Sequence, residues 1–166
     1  MNYNRTMTAT TYVIDMERKR VLLHLHKKFD QLYPLGGHIE PHELPHEAAL
    51  REVFEESGLR VELADEKGNR IGSESGFILP SPIFLLHENT NKPVQNLDFV
   101  YIAFLPKNID PENDMKPLSG ESRSFFWADE AEIAFGKIVR NEKEFDIPGH
   151  IKSIAELVMK KLREWT

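Results

Sequence analysis

LGGHIEPHELPHEAALREVFEESGL, residues 35–59, is the stretch whose reading decides the fold. It opens on Gly36 and Gly37, a pair that lets a backbone approach a neighbour closely. Pro41 marks a turn, and Pro45 stands near the start of a helical run, where proline is tolerated. Ala48 to Ser57 has helical spacing, and Gly58 suits the end of that helix. On a helical wheel Ala49, Leu50, Val53 and Phe54 share the face expected to be buried. Glu52, Glu55 and Glu56 stand at i, i+3 and i+4, so their carboxylates converge on another face, with the small Ala48 among them. Like charges packed this way cost about 0.2–0.5 kcal/mol per pair in an isolated helix, and a cation reverses that cost. Clustered oxygen ligands suit Mg²⁺ or Mn²⁺.

The spacing continues the argument. Gly37 is followed at fixed intervals by Glu43 and then by Arg51-Glu52-Val53-Phe54-Glu55-Glu56-Ser57-Gly58-Leu59. This run resembles the Nudix box at every defined position. Chance gives such a match with a probability on the order of 10⁻⁸ in a chain of ordinary composition. A solvated acidic helix face, the bland alternative, does not account for so full a pattern. Many Nudix members carry proline directly before the two glycines, whereas here that position is Leu35 and Pro34 precedes it. The departure alters loop stiffness and removes no functional side chain.

With 166 residues, the chain suits one domain spanning 1–166 with a sizeable core. A hydrophobic fraction of 40% and a charged fraction of 29% are those of an ordinary globular protein. The net charge of −6 argues against a nucleic-acid duplex as partner, because neutralising phosphates needs a basic surface. A small anionic substrate stays compatible if a metal supplies local positive charge. The absence of cysteine excludes disulfides, thiolate metal sites and thiol nucleophiles. No run approaches the ~20 apolar residues of a membrane span, and Met1 to Thr10 is too polar for a signal peptide. A soluble cytoplasmic protein is expected.

Along the chain, Thr6–Asp15 and Arg20–His26 read as a hairpin. Short strands are expected at Arg60–Leu63 and Pro82–Glu88, a buried strand at Leu97–Leu105, and a returning strand at Ser122–Ala128. Ala64–Gly76, Asn89–Asn96 and Pro106–Gly120 read as loops. Asp129 is a candidate N-cap for a short helix to Ala134. Ile151, Ile154, Ala155, Val158, Leu162 and Trp165 recur at helical spacing, an amphipathic helix packing on the sheet. Strands interleaved with two substantial helices suggest a mixed sheet covered by helices. The resemblance implies the same α/β class: a Nudix-type α/β/α sandwich in which the box forms a loop–helix–loop.

The resemblance also implies hydrolysis of a diphosphate linked to another group, commonly a nucleoside, with Mg²⁺ or alternatively Mn²⁺. Carried over by position, Glu55 and Glu56 are the main metal ligands and Glu52 is a ligand or the base, with the Gly36 carbonyl completing the shell. Both Glu55 and Glu56 are expected at the surface. Arg51 orients a carboxylate, Glu43 ties the loop to the helix, and Gly37 and Gly58 are structural. Glu121 is the first candidate for a ligand or base outside the box, with Glu88 and Asp98 behind it; an exposed loop glutamate explains Glu121 equally. His24, His26, Lys27 and Lys28 are candidate substrate contacts, although solvated lysines and a strand face explain them as well. Phe29 and Tyr33 suit stacking on a base, or ordinary packing. His38, His42 and His46 lack a zinc-ligand spacing.

The expected substrate is a nucleoside diphosphate derivative, with a modified nucleoside triphosphate (the mutator type) ahead of a nucleotide sugar such as an ADP-ribose-like compound. A Nudix-fold sensor that binds a nucleotide without cleaving it is the competing class, and the complete acidic set weighs against it. An isomerase on this fold needs further catalytic groups, including a cysteine that is absent here. Family members often form homodimers; a homodimer is open here, although no apolar stripe demands a partner.

Overall fold

The computed structural model describes residues 4–64, 76, 78–89, 94–120 and 122–165. Its spine is β1 (Asn4–Asp15), in the threonine- and β-branched-rich segment that favours a pleated strand. Three polar residues after Met16 turn the chain into β2 (Arg20–His26), which pairs antiparallel through Ile14–Val21 and Asp15–Arg20. β3 (Gln31–Tyr33) and β4 (Leu35–His38) follow, β3 on β2 and β4 back on β1. The glycine pair therefore lies inside a strand, opposite Ala9 and Thr10.

α1 (Pro45–Ser57) starts three residues before the expected Ala48. Pro45 occupies its first turn, and the Glu47 carboxylate accepts the Leu44 N–H at 2.8 Å, satisfying a donor the helix leaves open. Gly58 ends it in the left-handed region, φ 77°, donating to the Phe54 carbonyl. β5 (Glu62–Leu63) is shorter than expected; β6 (Phe84–Asn89) and β7 (Val94–Phe104) form an antiparallel pair. β7 starts within the stretch expected to be a loop, and it runs parallel to β1 over the length of both. β8 (Ser122–Ala128) pairs with β2, with a register shift between His24 and His26. α2 (Glu130–Phe135) is capped by Asp129 as its side chain predicts, and Gly136 closes it. A hairpin of β9 (Lys137–Arg140) and β10 (Lys143–Asp146) leads to α3 (Gly149–Trp165).

Strand alternation sorts the core onto two faces. Tyr12, Ile14, Val21, Leu23, Val100 and Ile102 pack against Ile151, Ala155, Val158 and Leu162 of α3. Val13, Leu22, Tyr101, Ala103 and Trp127 pack against Ala48, Ala49 and Val53 of α1. Both faces of the mixed sheet are covered, the α/β/α arrangement expected. Buried Ala49 and Val53 bear out the apolar face of α1, while Leu50 and Phe54 are half-buried.

Candidate active site

Arg51 organises the box. Its guanidinium donates to both Glu43 oxygens at 2.9 and 2.8 Å, to Glu52 Oε1 at 2.8 Å, to Glu55 Oε2 at 3.0 Å and to the His38 carbonyl at 3.0 Å. The hydrogen bonds from Arg51 hold Glu43 below the usual carboxylate range, and Glu43 raises Arg51 in return. Glu43 Oε2 also accepts the Glu40 N–H, so the same carboxylate bonds the loop and the helix.

Gly37 lies against the Glu52 side chain of α1. A Cβ there would lie 2.4 Å from Glu52 Oε1, so the missing side chain is the cradle of the Glu52 carboxylate. Glu55 is 45% exposed, but Glu56 is not at the surface: its side chain is 1% exposed. This corrects the expectation of two surface carboxylates. Glu56 faces β4 and accepts the Gly36 N–H at 2.9 Å, and its Oε1 lies 3.7 Å from His24 Nδ1. Position i+4 from Glu52 thus points into the sheet, because α1 lies flat on β4 and β1.

The donor set fits a hard divalent cation: Glu52 in its cradle, Glu55 open to solvent, and Glu56 oriented by backbone. Among the described residues no three acidic or histidine side chains converge as a ready metal cluster. Arg51 instead neutralises Glu52 and Glu55, the role a cation would share.

Beside the box two hollows join. The first, of about 160 Å³, is lined by Thr8, Thr10, Tyr12, Asp98, Glu88 and Tyr33 among others, with Gly36 and Gly37 at its edge. The second, an open cleft of about 480 Å³, carries Lys27, Lys28, His38 and Gly120 and shares Phe29, Gly36 and Gly37 with the first. The pocket has an acidic wall and the cleft a basic one. His26, Phe29, Tyr33 and His150 make a run of rings along the pocket, with centroids 4.6, 5.4 and 6.0 Å apart in succession. His24 is buried and shares a 2.5 Å hydrogen bond with Ser122 Oγ; burial and the neighbouring His26 push its pKa down to about 4, so it is neutral. Burial pushes Asp98 up, against hydrogen bonds from Thr10 and Thr8 and with Glu88 adding to the rise.

The family model of the NUDIX domain matches residues 4–146. The chain belongs to the Nudix family. It is accordingly a hydrolase acting on pyrophosphate bonds, in a family that generally uses divalent metal ions. A solved hydrolase of the NUDIX family from Clostridium perfringens is similar at 28% identity and a TM-score of 0.71, covering 98% of this chain and 99% of that one. A MutT protein from Methanosarcina mazei Go1 has 14% identity and a TM-score of 0.65, covering 98% of each chain. A C. elegans Ap4A hydrolase binary complex has 15% identity and a TM-score of 0.59, covering 98% and 96%. The last two share the fold. No curated protein matches the chain.

In this Nudix hydrolase the structure brings His24, His26 and Tyr33 to the pocket, and Lys27 and Lys28 to the cleft. Glu121 lies outside the described residues; its neighbour Gly120 lines the cleft and Ser122 holds His24. Sequence reasoning missed Thr8, Thr10, Tyr12, Asn96 and His150. For Thr8, Thr10 and Tyr12 the signal was an alternation in β1, Thr6-Thr8-Thr10-Tyr12, that sets polar groups along one strand face.

Proposed function

We propose that this Nudix hydrolase is a Mg²⁺-dependent pyrophosphohydrolase of a nucleoside diphosphate derivative, foremost a modified nucleoside triphosphate, working as one domain over residues 1–166 in the cytoplasm. The observation that carries the reading is the pairing of an acidic, ring-walled pocket with a basic cleft, both edged by the glycines of the box. A phosphate chain suits the cleft, where Lys27 and Lys28 offset its charge. A flat ring suits the pocket, where Phe29 and Tyr33 offer stacking.

Glu55 and Glu56 would hold the ion, with Glu52 as a further ligand or as the base and the Gly36 carbonyl completing the shell. Bound Mg²⁺ would neutralise diphosphate oxygens and lower the pKa of a coordinated water. Arg51 keeps Glu52 and Glu55 aligned through charge-assisted hydrogen bonds, and the Gly36 N–H fixes Glu56. In the reaction a water oxygen bonds to one phosphorus, the bridging P–O bond breaks, and the water proton passes to a carboxylate. Glu52 would take it, and Glu121 is the second candidate. A nucleotide sugar is the second reading, since Glu88 and Asp98 accept hydrogen bonds from sugar hydroxyls as well as from ring N–H groups.

Product release measured with Mg²⁺ and with Mn²⁺ tests the reading, across nucleoside triphosphates, oxidised nucleotides, nucleotide sugars and dinucleoside polyphosphates. Metal-dependent turnover of nucleoside triphosphates supports it. Turnover confined to nucleotide sugars establishes the second reading, and silence from a folded protein that binds Mg²⁺ points to a sensor.

A further inference from the structure

One face of β1 changes character along its length. Tyr12 and Ile14 pack against α3, but Thr10 and Thr8, on the same face, line the pocket, and Thr6 follows them along the strand. The parallel strand β7 sets Asn96 opposite Thr6 and Asp98 opposite Thr8. A chain of hydrogen bonds joins them. Thr6 Oγ1 donates to Asn96 Oδ1 at 2.9 Å, Asn96 Nδ2 to Thr8 Oγ1 at 3.0 Å and to Glu88 Oε2 at 2.8 Å, and Thr8 Oγ1 to Asp98 Oδ1 at 2.9 Å.

The chain stops short of Tyr12. This side chain lines the pocket and is 0% exposed, yet among the described residues its hydroxyl has no hydrogen-bond partner. Leaving a buried hydroxyl unpaired disfavours folding, and phenylalanine would fill the same space without that penalty. A hydroxyl kept there at a cost is explained by a ligand that completes it. The cavity, about 160 Å³, compares with the ~150 Å³ voids that accept a benzene-sized ring. Its lining adds two acceptor side chains, Glu88 and Asp98, so the pocket favours donors and disfavours anions.

We propose that Tyr12 and Asp98 determine specificity by reading the hydrogen-bonding edge of a flat, amino-bearing ring, a nucleobase with an exocyclic amine. Asp98 accepts from the amine, and the Tyr12 hydroxyl pairs with the adjacent ring nitrogen or oxygen. The proposal rests on the reading of the pocket as the seat of the substrate's non-phosphate part, and it adds which rings are taken and by which residues.

Two pairs of nucleoside monophosphates that differ by one amine test it: GMP against IMP, and AMP against purine riboside monophosphate. Calorimetric titration without metal keeps the pocket separate from turnover. In the parent, at least one amino-bearing member is expected to bind about tenfold tighter than its partner. Tyr12→Phe and Asp98→Asn should each bring that ratio towards one, and Tyr12→Phe should unfold at the same temperature as the parent or higher. The rise or constancy of Tm with lost selectivity is what a merely structural tyrosine would not produce. Ratios within twofold in both pairs, no binding of any monophosphate to the folded parent, or a preference that survives both substitutions overturns the proposal. Selective binding without turnover of any nucleoside triphosphate sustains it and overturns the functional reading instead.

Discussion

Arg51 and the glutamates Glu52, Glu55 and Glu56 of α1 differ in what each would lose on substitution. Glu55→Gln and Glu56→Gln should each lower Mg²⁺-dependent turnover about 100-fold or more, measured as kcat with saturating metal. Their stabilities should part company. Glu55 is 45% exposed, so Glu55→Gln should stay within about 0.5 kcal/mol of the parent in urea unfolding. Glu56 is 1% exposed, and an amide there keeps the Gly36 N–H bond but buries an extra NH₂, costing about 1–2 kcal/mol. Equal turnover of parent and both variants would remove the proposed metal site. Glu43 carries a pH prediction. Arg51 holds its folded pKa below the unfolded value, so the ionised group contributes stability above about pH 4.3 that is lost as pH falls through the folded value. Glu43→Gln should therefore lower Tm at pH 7 and converge with the parent as the pH falls through the folded value. All four charged positions were legible from the box; the burial of Glu56 was not, because a wheel gives an angle and not the depth at which a helix sits.

At the scale of elements, α1 is tied at both ends. At its C-terminus the segment 106–120 supplies N–H groups to open carbonyls: Lys116 to Ser57, and Leu118 and Ser119 to Glu55, each at 2.8 Å. Trp127 anchors the same segment through the Pro111 carbonyl. Gly58 makes the approach feasible, since φ is 77° and a Cβ would lie 2.4 Å from the Lys116 carbonyl oxygen. Gly58→Ala should destabilise by about 2 kcal/mol or more in urea unfolding, combining backbone strain with the displaced segment. Full stability of this variant would show that the segment does not brace the helix. Here the legibility of the sequence was uneven. The alternation of Arg20–His26 and Ser122–Ala128 and the helical stripe of α3 were readable from local period. β4 was not, because Leu-Gly-Gly-His has no pattern and gains its strand from pairing with β1. The β9–β10 hairpin also escaped: its turn, Asn141-Glu142, takes positive φ at both residues without the Asn-Gly signal that marks such turns.

For the whole molecule, α3 closes one face of the sheet and its first turn rims the pocket. Leu162, near the far end of the helix, packs in the core away from that rim. Leu162→Ala should cost about 3 kcal/mol in urea unfolding while KM at 25 °C stays unchanged. A raised KM would mean that the helix moves as one body. Metal should register on the global fold too. An ion that binds the native state alone stabilises it by mass action, about 2.7 kcal/mol at 100 times its Kd. Mg²⁺ or Mn²⁺ should raise Tm in a thermal scan, chelation should reverse the rise, and Glu56→Gln should abolish it. A Tm indifferent to both metals counts against the site.

Sequence alone determined the family, the acidic face of α1, the strand and helix order in outline, and the lysines beside the box, because each of these is written in local spacing. Only the tertiary structure decided that Glu56 is buried against Gly36 and His24, that Gly37 cradles Glu52, and that Tyr12, Asp98 and Glu88 share a pocket. Those facts depend on β1, β6 and β7 lying side by side and on α1 lying across them. Contacts between segments remote in the chain carry no period that a single sequence displays.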